Sequence, residues 1–322
     1  MSANAQENVK QLQPISAKRP HVVQPNWKLV KVNTANIKTK YIGVPYSNVS
    51  KTQTLDIYLP NKGKGPFPVI LAVHGGAFVW GNSFLRDDVG PQLEGVNRGY
   101  AVVSVNYRLS GEAPFPRAVN DVKAAVRFIK ANAKKYNLNP NKIAAWGCSA
   151  GGNLVSMLGT TANVNNLNGD DTSNLKYSSR VQAVVDWYGP TDFLKFNKYF
   201  KEYGVKPLFG SNQTDNSFES WYIGQNIAKD PSFTEKANPE TYIQTMNPKT
   251  APYFFIEHGT KDQNVPTLES VHFAHQLEAK IGKNKVTLVL LKGEVHGGPK
   301  FRTPQNLNMV YQFLDKVLKN KE

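Results

Sequence analysis

Apolar positions along the chain fall into short unbroken runs, separated by stretches in which they recur every three or four residues. Six runs are apolar throughout and rich in β-branched and aromatic residues: FPVILAVH (67–74), YAVVSVNY (100–107), KIAAWGC (142–148), VQAVVDWY (181–188), PYFFIEH (252–258) and KVTLVLL (285–291). A strand that is apolar on both faces belongs inside a mostly parallel sheet covered by helices on each side. Two further strand-like runs precede them, near 37–46 and 52–59, the second ending at the proline of TLDIYLP. Between the runs the period changes. Val119, Val122, Val126, Ile129 and Ala133 within 116–136 mark one amphipathic helix; Leu307, Val310, Tyr311, Leu314 and Val317 within 303–320 mark another. This alternation predicts a doubly wound α/β architecture, in which chemistry collects at the carboxyl ends of the strands.

Residues 27–322 read as a single domain of this kind, preceded by a Pro-rich, polar and loosely ordered arm at 1–26. One stretch breaks the rhythm. Some 60 residues, 189–250, separate two strands that elsewhere are joined by about half that number, and they read as a helical insertion lying over the sheet. Nine aromatics (Phe193, Phe196, Tyr199, Phe200, Tyr203, Phe209, Phe218, Trp221 and Tyr222) fall within 30 residues of it. Because the insertion leaves the sheet at Trp187 and Tyr188, on the carboxyl side, several of these rings are expected to wall a pocket there.

Composition narrows the class. A chain of 322 residues buries a core large enough to need no disulfide, and its one cysteine, Cys148, excludes an internal disulfide or a zinc site of several cysteines. No apolar run reaches 18 residues, and the first 20 residues lack the apolar stretch of a signal peptide, so a cytoplasmic protein without a membrane partner is expected. The net charge of +15 sits mainly at the ends: +6 in 1–40 and +6 in 280–322, leaving +3 between. Neither end interleaves dense basic residues with aromatics, which points to a solvated basic surface and away from nucleic acid.

The chemistry follows from four loops. After the run at 142–148 comes Gly147-Cys148-Ser149-Ala150-Gly151-Gly152 and then the helix-like NLVSMLGT, a G-x-S-x-G turn between strand and helix. A serine hydroxyl needs a base, and the base an orienting acid. His296 lies just after the last strand and Asp262 just after the preceding one, so all three groups reach the same sheet edge. His272 and His275 lack a carboxylate to complete a metal triad, and His258, four residues before Asp262, reads as a brace for that loop. His74-Gly75-Gly76-Ala77-Phe78 ends the strand at 67–74, and its backbone amides, with that of Ala150, can point at a developing oxyanion.

In order, HGGAF, NYRLSGEAPFPRAVNDVKAAVRFI, GCSAGG, DWYGPTD, HGTKDQNVP and GEVHGG resemble the successive blocks of the esterase/lipase branch of the α/β-hydrolase superfamily. Within it the chain is similar to bacterial carboxylesterases close to hormone-sensitive lipase and to acetyl and feruloyl esterases. The resemblance implies an α/β-hydrolase fold and a serine hydrolase with Ser149 as nucleophile, Asp262 as acid and His296 as base. It also implies an oxyanion hole from the amides of Gly76, Ala77 and Ala150. Phe78, Trp187 and Tyr188 are the side chains expected at the substrate. The expected partner is a small-molecule ester, with no cofactor and no metal; the oligomeric state stays open. Two residues depart from the pattern: Cys148, where the family often has Asp, and Ala77, where many members have a third glycine. Cys148 is expected to be a packed core thiol. An amidase or peptidase of the same fold, or a ligand receptor built on it, is the alternative reading.

Overall fold

The computed structural model describes residues 30–84 and 86–319, so the arm expected at 1–26 lies outside the described residues. Each of the eight apolar runs forms a strand: β1 (Lys40–Pro45), β2 (Thr54–Tyr58), β3 (Phe67–Val73), β4 (Ala101–Val105), β5 (Leu138–Cys148), β6 (Ala183–Trp187), β7 (Tyr253–Gly259) and β8 (Val286–Leu291). The helices are α1 (Arg86–Leu93), α2 (Arg117–Ala131), α3 (Ala150–Thr160), α4 (Phe196–Tyr203), α5 (Phe218–Ile223), α6 (Pro231–Thr234), α7 (Leu268–Ile281) and α8 (Pro304–Leu318).

The strands form one sheet in the order β1-β2-β4-β3-β5-β6-β7-β8. β2 runs antiparallel to β1 and β4, and every other neighbouring pair is parallel. Burial on both faces explains the unbroken apolar runs: Val69 to Val73 of β3 are all solvent-inaccessible, each large side chain contributing roughly 1.5–3 kcal/mol. On one face α1 and α8 pack through Val89, Leu307, Val310 and Leu314; on the other α2, α3 and α7 pack through Val122, Val126, Leu154 and Phe273. The start of α8 is written in the sequence, with Pro304 in the first turn and the Thr303 hydroxyl accepting from the Asn306 amide.

The segment 189–250 carries the short helices α4, α5 and α6, followed by two 3-10 turns. Its Phe193, Phe196, Phe200, Tyr222 and Ile223 merge with the core beneath α3 and α7. Register then fixes where chemistry can collect. Val73 pairs with Gly147, Cys148 with Trp187, and Gly259 with Leu291, so the loops after β3, β5, β6, β7 and β8 emerge at one edge. Among the described residues no helix is long and apolar enough to cross a membrane.

Candidate active site

Ser149 occupies the single-residue turn between β5 and α3, with φ 54° and ψ −121°. A non-glycine residue in this region costs about 1–3 kcal/mol and persists only where its surroundings hold it. The Ser149 amide donates to the Trp187 carbonyl at 2.8 Å, and its carbonyl accepts from the Asn153 amide at 3.1 Å. The flanking glycines permit the close approach. A Cβ on Gly147 would stand 2.2 Å from the Gly151 carbonyl oxygen, and one on Gly151 would stand 2.2 Å from that of Val73. Cys148 points the other way, into the core shared with α8.

The Ser149 hydroxyl lies 2.9 Å from His296 Nε2, and His296 Nδ1 lies 2.7 Å from Asp262 Oδ2. Asp262 is fully buried, and its other oxygen accepts from the amides of Asn264 at 2.8 Å and Val265 at 3.0 Å. Burial alone pushes this carboxyl up; the charge of His296 and hydrogen bonds from His258 and His296 outweigh it and hold the group well below the usual carboxylate range. His296 therefore presents Nδ1–H to a carboxylate and a lone pair on Nε2 to the serine. His258 completes the arrangement. Its Nε2 faces two acceptors, Asp262 Oδ2 at 3.2 Å and the Val265 carbonyl at 3.1 Å, so it carries the proton, and Nδ1 accepts from the Ser270 hydroxyl at 2.7 Å. The brace expected of His258 thus reaches the carboxylate itself.

Beyond β3, Gly76, Ala77 and Phe78 have φ of 102°, 51° and 62°, three consecutive residues in the left-handed region. The amides of Gly76, Ala77 and Ala150 make no backbone hydrogen bond among the described residues, and a Cβ on Gly75 would be 3.4 Å from Ser149 Cβ. Tyr107 and Ser110, which sequence reasoning did not single out, hold this strained turn. The Tyr107 hydroxyl donates to the His74 carbonyl at 3.0 Å, and the Ser110 amide and hydroxyl donate to the Phe78 carbonyl at 2.8 and 2.9 Å. Their signal was available: both are polar-tipped residues just past the carboxyl end of β4.

The side chains expected at the substrate are placed differently from one another. Trp187, 1% exposed, packs on Trp146 and Phe301, because alternation along β6 turns it to the α8 face with Ala183 and Val185. Tyr188 is buried with its ring edge-to-face on His296 at 4.6 Å, backing the imidazole. Phe78 is buried and stacked on Tyr222 at 3.7 Å, with Phe193 against both. His272 stacks on Tyr199, and among the described residues no cluster of three or more His, Cys, Asp or Glu side chains is arranged to hold a metal ion.

Comparison with known proteins places the chain in a family. The family model described as BD-FAE matches residues 55–277. Esterase LipC of Mycobacterium tuberculosis is 29% identical over 282 residues, covering 84% of this chain and 63% of LipC. Among solved structures, a truncated form of a carbohydrate esterase from gut microbiota superposes with a TM-score of 0.79 at 26% identity, covering 90% of this chain and all of that one. The bifunctional GH43-CE of Bacteroides eggerthii gives 0.74 at 31%, covering 87% of this chain and 35% of that one. The chain spans between about half and two-thirds of the length of the first curated relatives it matches. With its eight-stranded, mostly parallel sheet and flanking helices, the chain has the α/β-hydrolase fold and belongs to the BD-FAE family.

Proposed function

We propose that the chain is a serine carboxylesterase that removes short acyl groups from soluble esters, those of carbohydrate alcohols among them, through an acyl-enzyme. The observation that carries this is the hydrogen-bonded chain from the Ser149 hydroxyl through His296 to the buried Asp262, beside the Gly76 and Ala77 amides, which make no backbone hydrogen bond among the described residues. Its chemistry follows step by step. The Ser149 oxygen attacks the ester carbonyl carbon and its proton passes to His296 Nε2; Asp262 stabilises the imidazolium. The amides of Gly76, Ala77 and Ala150 take the negative charge on the carbonyl oxygen. The carbon–oxygen bond to the alcohol breaks, His296 returns its proton to the departing oxygen, and water repeats the sequence on the acyl group. The names of the relatives and solved structures support the ester class, and the carbohydrate esterase among them supports a sugar alcohol.

The acyl group is expected to be small, about two to six carbons, with a planar hydroxycinnamoyl group the other acceptable shape. The packed stack of Phe78, Tyr222 and Phe193 behind the oxyanion turn supports this, since these buried rings are packed against one another there. A panel of esters graded in acyl length, with a hydroxycinnamate ester added and Ser149→Ala as the blank, tests the proposal. Turnover equal in the blank would sink it, and a maximum at ten carbons or more would replace the short-chain reading with a lipase.

A further inference from the structure

The aromatic insertion does not spend all its rings on the core. Phe209 is 63% exposed and Leu208 beside it 60%, while Phe218, Trp221 and Trp80 are half-buried. These four aromatics form one cluster. Phe218 lies edge-to-face with Trp80 at 5.3 Å, with Phe209 at 5.3 Å and with Trp221 at 5.6 Å. Edge-to-face packing leaves ring faces uncovered, and a contiguous exposed patch of this kind marks a binding surface more often than a core.

Its position says what it serves. Trp80 belongs to the oxyanion turn: its amide donates to the Gly76 carbonyl at 3.0 Å, and a Cβ on Gly76 would be 2.7 Å from its indole Cδ1. At the other end, the amide of Leu208 donates to the carbonyl of Gln263, next to Asp262, at 2.8 Å, and Gln263 Nε2 donates back to the Lys206 carbonyl at 3.1 Å. The patch therefore runs from the amides beside Ser149 to the loop that carries Asp262. Polar residues flank it along the chain, Ser211 two places after Phe209 and Ser217 just before Phe218. Flat apolar faces set among hydroxyls and amides match a sugar ring, whose axial C–H groups stack on an aromatic face while its rim of hydroxyls faces water and amides.

We infer that Trp80, Phe209, Phe218 and Trp221 form a stacking platform for a sugar ring in the alcohol part of the substrate, and so set which alcohol the enzyme accepts. The inference rests on the esterase reading for the catalytic step, and the test keeps the two apart. For the wild type, Phe209→Ala, Phe218→Ala and the double variant, kcat/KM is measured on an acetylated oligosaccharide and on ethyl acetate, which has no ring, with a methyl hydroxycinnamate as control. The platform predicts that the ratio of the two falls roughly tenfold per ring removed, carried mainly by KM on the sugar ester, with Phe209→Tyr restoring it. The Ser149→Ala protein is also titrated with the unacylated oligosaccharide, read by tryptophan fluorescence, and the response is lost in Ser149→Ala/Phe209→Ala. A ratio unchanged in all variants, together with no fluorescence response, overturns the platform. Loss confined to a methyl hydroxycinnamate also overturns it, since the rings would then hold the acyl group. If neither ester is cleaved by the wild type, the esterase reading fails while the titration still decides the platform.

Discussion

Replacing Asp262 by asparagine keeps the volume and inverts the hydrogen bonding at one atom. The direction of that inversion is set by the loop. Two backbone amides, of Asn264 and Val265, donate to Asp262 Oδ1, so the asparagine must turn its carbonyl to them and its NH2 to the position of Oδ2. That NH2 then faces His296 Nδ1, which lies 2.7 Å from Oδ2 in the native protein, and donates to it. The imidazole is left with its proton on Nε2, towards Ser149, and cannot accept the serine proton. The lost charge adds to this. With about 4 Å between charge centres and an effective dielectric of roughly 20, carboxylate and imidazolium attract by about 4 kcal/mol, which is nearly a thousandfold at 1.36 kcal/mol per decade of rate. We expect kcat on 4-nitrophenyl acetate to fall by about 10³ to 10⁴.

The same inversion sets the NH2 against His258 Nε2–H, which lies 3.2 Å from Oδ2 and retains only the Val265 carbonyl. Two opposed donors in a buried site cost roughly 1–3 kcal/mol, so the melting temperature should drop by several degrees while the protein stays folded at 25 °C. Steady-state kinetics beside a thermal melt reads both quantities. A folded variant that loses less than tenfold in kcat would refute the claim that Asp262 orients and compensates His296.

Three other outcomes follow from the same geometry. Cys148→Ala should keep most of the activity, because the thiol points into the α8 core; a dead, folded variant would reopen the choice of nucleophile. Gly151→Ala should be strongly destabilised and nearly inactive, since the new Cβ meets the Val73 carbonyl oxygen at 2.2 Å and must push α3 off β3; native melting behaviour would contradict that contact. Glu257 is buried in β7 with one oxygen accepting from Asn306 at 3.0 Å, and burial pushes its carboxyl up to about 8. The folded state holds this proton longer than the unfolded chain does, so the contribution is full below the unfolded value and is lost as pH rises through about 8. At about 1.4 kcal/mol for each pH unit, melting temperatures between pH 5 and 8 should slope downward for the native protein and less so for Glu257→Gln. Parallel slopes would show that Glu257 is ionised throughout.

What the sequence made legible follows from how each signal is encoded. The strands were readable because burial on two faces leaves an apolar run with no alternation, and β3, inaccessible from Val69 to Val73, is the extreme case. Ser149, Asp262 and His296 were readable because each follows a strand within a few residues, and parallel register brings those ends to one edge. The support of the turn after β3 was hidden. Ala77 and Phe78 look unremarkable as letters, yet both take positive φ, and what stabilises them, Tyr107 and Ser110, arrives from a different strand. Only the paired geometry of β3 and β4 connects the two.

Aromatic side chains mark the deeper limit, because one residue type serves opposite ends. Trp187 ends β6 sunk against Trp146 and Phe301, while Tyr188, the next residue, leaves the strand at φ 45°, packs on the same Phe301 and turns to the edge of His296. Period-two alternation does not reach Tyr188, whose positive φ takes it out of the strand, and with both faces of this sheet buried it does not say which face belongs to the site. In the insertion the helices are too short for a period to be read at all. α5 has six residues, less than two turns, and carries both Tyr222, stacked beneath Phe78, and Phe218, the centre of the exposed cluster. Residues 218 and 222 are four apart and would be assigned to the same face by spacing. They part company because the cluster's other rings come from Trp80 and Phe209, and that juxtaposition exists only once the turn after β3 and the loop beside Asp262 have been brought together.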